Sequence, residues 1–553
     1  MNLSTREPWE LSARTLDRRA GSVRRSLLIE QGRLIDSSFS GAEPQAATSS
    51  AGALLRRPQG RARWQWTLPD DVWLLPGFVD SHTHLIGVGL APQKPDLSRA
   101  VSKAAALVKV ADWLGNDPAS TPLIAEGWDQ SCWDDPGFPT RAELDGIAPT
   151  RPLALRRVCG HIAVLNSAAL RQLGADWPDL DPESGLAKET LPLALPRLWP
   201  PTEEQYDQAV LIGQREAWRR GVTQIHEMGH PGSWRAFGRA DVAGTLHLRV
   251  AHFMHAEFLE ACESAAPVAG GGSERLRFGG IKAFLDGSFG GRSALLRGES
   301  VYLDHPGRGI ALFTDDALRD LMRRARSRDF PLALHAIGDG AIEQIVRIGE
   351  EIAQELGPWT APAPRIEHAE MLDAELIGRA AALGFWFSMQ PNFTARWQGL
   401  GELYEQALGP RRANHLNPYR SAADTGRLCF GSDTMPLDPL LGLRGAMRHP
   451  NLGERLPLLA ALEAYTRGGA AAVRRPFGWS DLGAGDGCDL VGLRWPALAR
   501  LLPDAEALRN LDAPDLLDDV EVALTVVGGE IRFLGSGLLS ESEAAQLAPE
   551  AVR

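Results

Sequence analysis

From residue 203 onward, apolar positions recur with two alternating periods. Stretches such as EEQYDQAVLIGQREAWRRG, DDALRDLMRRARSRD and AIEQIVRIGEEIAQEL repeat them every three to four residues, the spacing of a helix with one buried face. Between the helical stretches lie short apolar runs: VTQIHEMG, LRVAHFMHA, LRFGGIKAFLDGS, FPLALHAIGDG, APRIEHAE, FWFSMQPNF and GRLCFGSDTMP. Such runs read as parallel strands covered on both faces. An earlier run, LLPGFVDSHTH, completes a set of eight. Strands alternating with helices make βαβ units, and eight of them make an α/β fold of the (β/α)8 TIM-barrel type, whose chemistry sits at the C-terminal ends of the strands.

The pattern differs elsewhere. Residues 1–73 hold short β-like pieces (SLLIEQGRLID, RWQWTLPDDVW), and 37–60, rich in Ser, Ala and Gly, reads as a loop. Beyond about 476 the helical rhythm stops, and GAGDGCDLVGLRW and VEVALTVVGGEIRFLG again read as strands with Gly turns. The expected organisation is therefore a small β-sandwich made from 1–73 plus 477–540, and a barrel over 74–476 entered at Pro76 and Gly77. An insertion at about 95–205, dense in Trp, Gly, Pro and Asp, is expected to cover one end of the barrel.

Composition narrows the class. The 553 residues are 44% hydrophobic and carry a net charge of −12 with both signs interspersed. No basic stripe points to nucleic acid, and no apolar run is long enough for a membrane span or a signal core. The five cysteines are odd in number, widely spaced and without a CxxC pair, which suits a reducing cytoplasm. The expectation is a cytoplasmic protein acting on a small molecule, with a homodimer as the assembly to test.

Candidate chemistry gathers at strand ends. His82 and His84 sit two apart at the end of the first strand, and a period of two points them the same way. Lys282 ends the fourth strand, His335 the fifth, His368 the sixth and Asp433 the eighth. Each has a plain structural reading: a surface histidine, a snorkelling lysine, a turn-capping aspartate. Jointly, residues able to bind or bridge metal at so many strand ends of one barrel converge on its axis.

These motifs carry a resemblance. PGFVDSHTHL, GWDQSCW, LRRVCGHIAVLNSAAL, GVTQIHEMG, IKAFLDGSFGGRSALL, LHAIGDGA, RIEHAE, MQPNF and GSDTMP resemble the amidohydrolase superfamily, in its branch of YtcJ-like hydrolases and N-substituted formamide deformylase. The resemblance implies one divalent metal on His82 and His84 and a second on His335 and His368, with Zn²⁺ expected and one or two ions per chain. It implies N6-carboxylysine at Lys282 as the bridge, and Asp433 as both metal ligand and proton shuttle. A metal-activated hydroxide would then hydrolyse a C–N bond of an N-substituted amide or formamide. Two alternatives remain open: a mononuclear deaminase or cyclic amide or ester hydrolase on the same barrel, and a catalytically silent binding barrel.

Weaker candidates complete the set. His161, in CGH, is a substrate contact or a turn residue; Cys159 beside it stands where similar sequences carry an acid. Asp286 and Arg292, in DGSFGGR, orient Lys282, bind substrate or form a loop ion pair. Asp339 is a candidate partner for His335. His226, Glu227 and His230 form a cluster on a strand not expected to bind metal. Trp128, Trp133, Phe138 and Trp397 are pocket-wall candidates.

Overall fold

The computed structural model describes residues 8–17, 21–39, 54–56, 64–116, 121–134, 137–174, 176–188, 190–359, 363–473, 482 and 487–539. Most of the loop expected at 37–60 lies outside them. The chain divides into two compact units, 1–85 with 213–553, and 86–212.

The first unit holds the barrel. Its strands are β1 (Phe78–Thr83), β2 (Val222–Gly229), β3 (Arg249–His255), β4 (Leu276–Phe284), β5 (Leu332–Ala336), β6 (Arg365–His368), β7 (Trp386–Met389) and β8 (Leu428–Phe430). They pair in sequence order, all parallel, as eight strands of one sheet. Helices such as Asp315–Ser327 and Asp339–Leu356 bury an apolar stripe, for example Ile342, Ile345 and Ile352. The (β/α)8 expectation holds, strand by strand.

Closure between β8 and β1 uses backbone and one buried acid. Asp433 N–H donates to the His82 carbonyl at 2.8 Å, and Ser432 N–H to Asp80 Oδ1 at 2.9 Å. Gly431 permits this approach: a Cβ there would lie 2.4 Å from His82 N. At the other end of β1, Gly77 packs where a Cβ would meet the Thr223 side chain at 2.3 Å. The apolar run LLPGFV therefore divides at Gly77 between two sheets.

The strand before that glycine, Val72–Pro76, belongs to a nine-stranded sheet drawn from both chain ends. It lies between Leu490–Arg494 and Trp9–Asp17, beyond which come the hairpins Glu521–Val527/Glu530–Leu534 and Gly21–Glu30/Arg33–Phe39. Alternating residues (Trp9, Leu11, Ala13; Leu27, Ile29) meet Leu490, Leu524 and Val526 in one core. Strands from both termini, expected to join in one small β-domain, are hydrogen-bonded together around that core.

The second unit carries a five-stranded sheet ordered Leu180–Asp181, Leu186–Lys188, Ile162–Leu165, Leu153–Arg157, Leu123–Trp128. Its core includes Leu97, Val110, Leu144 and Trp128. Among the described residues no helix is long and apolar enough to cross a membrane.

Candidate metal centre

Five of the barrel strands deliver the expected residues to one place. His82 closes on His84 with ring centroids 5.7 Å apart, on His368 at 4.8 Å, and His368 on His335 at 4.4 Å. Asp433 Oδ1 lies 3.2 Å from His84 Nε2 and 3.5 Å from His82 Nε2. His82, His368 and Asp433 each offer a ligand atom within 4.8 Å of the others. Two of these positions carry left-handed backbone, φ 70° at His368 and 51° at Asp433. For residues with a side chain this costs about 1–3 kcal/mol each, a strain characteristic of functional sites. At His368 it breaks the strand alternation, so Glu367 and His368, though consecutive, both contact His82.

The β1 histidines are held by buried acids from two other strands, β6 and β2. Glu367 Oε2 is 2.7 Å from His82 Nδ1, and its other oxygen accepts from Arg365 Nε at 2.8 Å. Burial alone would raise the Glu367 pKa, but Arg365 and then Lys282 hold it below the ordinary value. It is therefore a carboxylate, which only accepts, so His82 donates from Nδ1 and keeps a lone pair on Nε2. Burial, helped by the nearby Lys282 charge, pushes the His82 pKa well down and keeps the ring neutral. Glu227, on β2, accepts from Thr83 Oγ1 at 3.0 Å and from Leu85 N–H at 2.7 Å, clamping the residues on either side of His84.

Lys282 is fully buried, and among the described residues its Nζ has no hydrogen-bond partner. Burial lowers its pKa to about 8. Burial would raise the Asp433 pKa, yet the hydrogen bond from His84 and the nearby Lys282 charge keep it low and the carboxylate ionised. His335 is pushed down to about 4 by burial and then by Lys282; its Nε2 meets the Gly287 carbonyl at 3.0 Å. His368 Nδ1 has no partner among the described residues, and its ring stacks on Phe393 at 5.9 Å.

Other candidates fall elsewhere. The acid beside His335 is Asp286, 3.5 Å from Nε2, not Asp339, which accepts from Arg297 N–H in the first turn of its helix. Asp286 also accepts from the N–H groups of Leu295, Ile337 and Gly338, tying the loops after β4 and β5 together. Arg292 forms the loop ion pair: its guanidinium grips Asp304 through Nε at 2.8 Å and Nη2 at 2.5 Å. His226 accepts from Arg365 and His230 caps a helix, so with Glu227 they serve as supports and not as a ligand cluster. Trp128 is no pocket wall: it is fully buried in the second unit, stacked on Trp133 and bonded to the Leu155 carbonyl. Phe138 meets it edge-on, and Trp397 packs on Phe393 in the first unit. His161 also belongs to the second unit, in the turn after Leu153–Arg157 with the exposed Cys159, whose thiol bonds to Arg157.

Reading by residue type missed Asp80, Arg365, Glu367 and His255. The last ends β3 in register with Lys282, its Nε2 buried and unpartnered among the described residues. One signal was available: Arg and Glu two apart on an otherwise apolar strand must find partners, because unpaired buried charge is prohibitive.

A divalent cation fits these residues. A neutral His82 with its proton on Nδ1 places an Nε2 lone pair 3.5 Å from an anionic oxygen of Asp433. Two electron-rich atoms so close repel one another, and a cation shared between them reverses the sign of the interaction.

Comparison with known proteins agrees. The amidohydrolase family model matches residues 71–533. Putative amidohydrolase YtcJ of Bacillus subtilis is 30% identical over 496 residues, covering 83% of this chain and 89% of that protein. N-substituted formamide deformylase of Arthrobacter pascens is 26% identical over 396 residues, covering 65% and 70%. An uncharacterised metal-dependent hydrolase from Pyrococcus furiosus has the same fold, with a TM-score of 0.73 at 24% identity over 88% of this chain and 98% of that one.

Proposed function

The chain belongs to the amidohydrolase family of metal-dependent hydrolases acting on carbon–nitrogen bonds, and we propose that it hydrolyses an N-substituted amide or formamide with Asp433 as proton shuttle. The observation that carries the site assignment is the facing pair His82 Nε2 and Asp433 Oδ1. His82, His84 and Asp433 would hold one cation, Zn²⁺ being the expected metal, and His335 and His368 a second. Lys282 would bridge as a carbamate; a buried, unpartnered amine with a pKa near 8 suits attack on CO₂, and the product supplies two anionic oxygens. When bound, a divalent cation there acidifies water and polarises the scissile carbonyl.

The chain's own residues do the rest. Asp433, kept ionised by its hydrogen bond from His84, accepts a proton from the attacking water at its carboxylate. It returns that proton to the nitrogen, which leaves as the amine while the carbonyl carbon leaves as the acid. The left-handed backbone at Asp433 fixes the carboxylate against β1.

A single-cation reading, as in a deaminase, is favoured by one fact: among the described residues the group whose ligand atoms converge is His82, His368 and Asp433. Metal content per chain decides between one ion and two. A cytoplasmic location belongs to the same proposal, in keeping with five unpaired cysteines. The test is release of formate or carboxylate from N-substituted formamides and amides by the Zn²⁺-loaded chain. Turnover that a chelator abolishes is expected. The proposal fails if no amide in a broad panel is cleaved.

A further inference from the structure

Beneath the candidate ligands lies a network that the catalytic reading leaves unused. Arg365 is almost wholly buried inside the barrel, and its guanidinium ties four strands together. Nε donates to Glu367 Oε1 at 2.8 Å, Nη1 to His226 Nδ1 at 2.7 Å, and Nη2 to the Ser81 carbonyl at 2.5 Å and to Ser388 Oγ at 3.0 Å. Its plane also meets the Phe253 ring, 5.0 Å from the centroid. These contacts reach β1, β2, β6 and β7, so the guanidinium has one orientation.

That orientation sets proton positions. Guanidinium nitrogens only donate, so His226 must accept at Nδ1 and carries its proton on Nε2. Oε1 of Glu367 is committed to Arg365, which leaves Oε2 to His82. His82 is the opposite tautomer to His226, with its proton on Nδ1. Its backbone is fixed as well, N–H to Asp80 at 3.2 Å and carbonyl from Asp433 N–H.

We propose that Glu367, locked by Arg365, is a positioning residue that holds His82 with its proton on Nδ1 and so keeps Nε2 free for a divalent cation. His226 completes the lock by anchoring the far side of the guanidinium. The inference rests on the assignment of His82 as a ligand. It adds that the ligand's affinity is set from three strands away around the barrel, by a carboxylate that touches neither metal nor substrate.

The test is Zn²⁺ binding to the full-length chain against a competing chelator, with thermal melting of the metal-free protein beside it. Glu367→Gln keeps the shape, but its oxygen stays with Arg365 and its NH2 faces His82 Nδ1, which favours the tautomer with the proton on Nε2. Zn²⁺ affinity should fall roughly 10–100-fold, the usual cost of losing an outer carboxylate, while the metal-free melting point moves little. In ¹⁵N-histidine-labelled protein the Nδ1–H signature of His82 should give way to the Nε2–H tautomer. Glu367→Ala leaves the Arg365 charge unpaired and should also lower the melting point. Unchanged Zn²⁺ affinity in Glu367→Gln, or a loss that merely tracks metal-free stability, overturns the inference. His82→Ala separates the two levels. If it binds Zn²⁺ as the parent does, the ligand assignment itself is wrong. If it loses Zn²⁺ and Glu367→Gln does not, only the positioning role is wrong.

Discussion

The two histidine pairs of the site are held in different ways. On the β1 side, hydrogen bonds determine the geometry: Glu367 grips the His82 ring, Glu227 clamps both neighbours of His84, and Asp80 and Asp433 bond the His82 backbone. On the β5–β6 side, packing does most of the work. His335 bonds the Gly287 carbonyl, and His368 rests on Phe393 with strained backbone and an unpartnered Nδ1. Directed hydrogen bonds preorganise a ring: the Gly287 carbonyl holds His335 with its proton on Nε2, whereas packing alone leaves the tautomer of His368 open. The β1 pair should therefore bind a cation first and more tightly.

The strongest challenge to that picture is Asp433→Asn. Asparagine keeps the size and the backbone bond to His82 but cannot take a proton, so turnover should fall by about 10²–10⁴ while most of the metal stays. Turnover and metal content measured on one preparation check it. Removing ligands probes the asymmetry directly. His335→Ala should erase the weaker event of a Zn²⁺ titration and leave the tighter one; His82→Ala should weaken the tighter one by more than about 100-fold. Equal losses from both would dissolve the distinction.

A smaller effect is expected at the seam. Gly431→Ala places a Cβ against His82 N, so β8 must move away from β1 at a cost of about 1–3 kcal/mol. A lower melting point with weakened tight-site binding and an intact weak site would locate the asymmetry at closure. The smallest effect serves as a control away from the site. His247, before β3, is held at a pKa of about 4 by burial and by Arg532, which donates to its Nδ1 at 2.8 Å. The folded-state pKa lies below the unfolded one, so between about pH 6.5 and 4 the unfolded chain binds more protons. Its contribution is present above the unfolded pKa and is lost as pH falls towards 4. In His247→Gln the melting point should depend less steeply on pH over that window, with Zn²⁺ binding unchanged.

Much of this was legible in residue order. Eight apolar runs separated by helical periods specify parallel strands, and His82, His335, His368 and Asp433 at their ends are local facts. Asp286 and Asp339 show where legibility stops. Both follow strands within short Gly-containing motifs, and residue type cannot decide which one faces His335; the fold turns Asp286 inward and leaves Asp339 on a helix turn. Arg292 likewise looks available until the loop folds back and pairs it with Asp304.

The sequence by itself determined the barrel and the strand-end positions of the candidate ligands, because periodicity and strand order depend on neighbours along the chain. Only the tertiary structure decided which nitrogen of His82 carries the proton. That depends on Glu367, 285 positions away, and on a guanidinium bonded to four strands. Hydrogen-bond direction is a property of atoms meeting in space, and no local pattern of residue types encodes it.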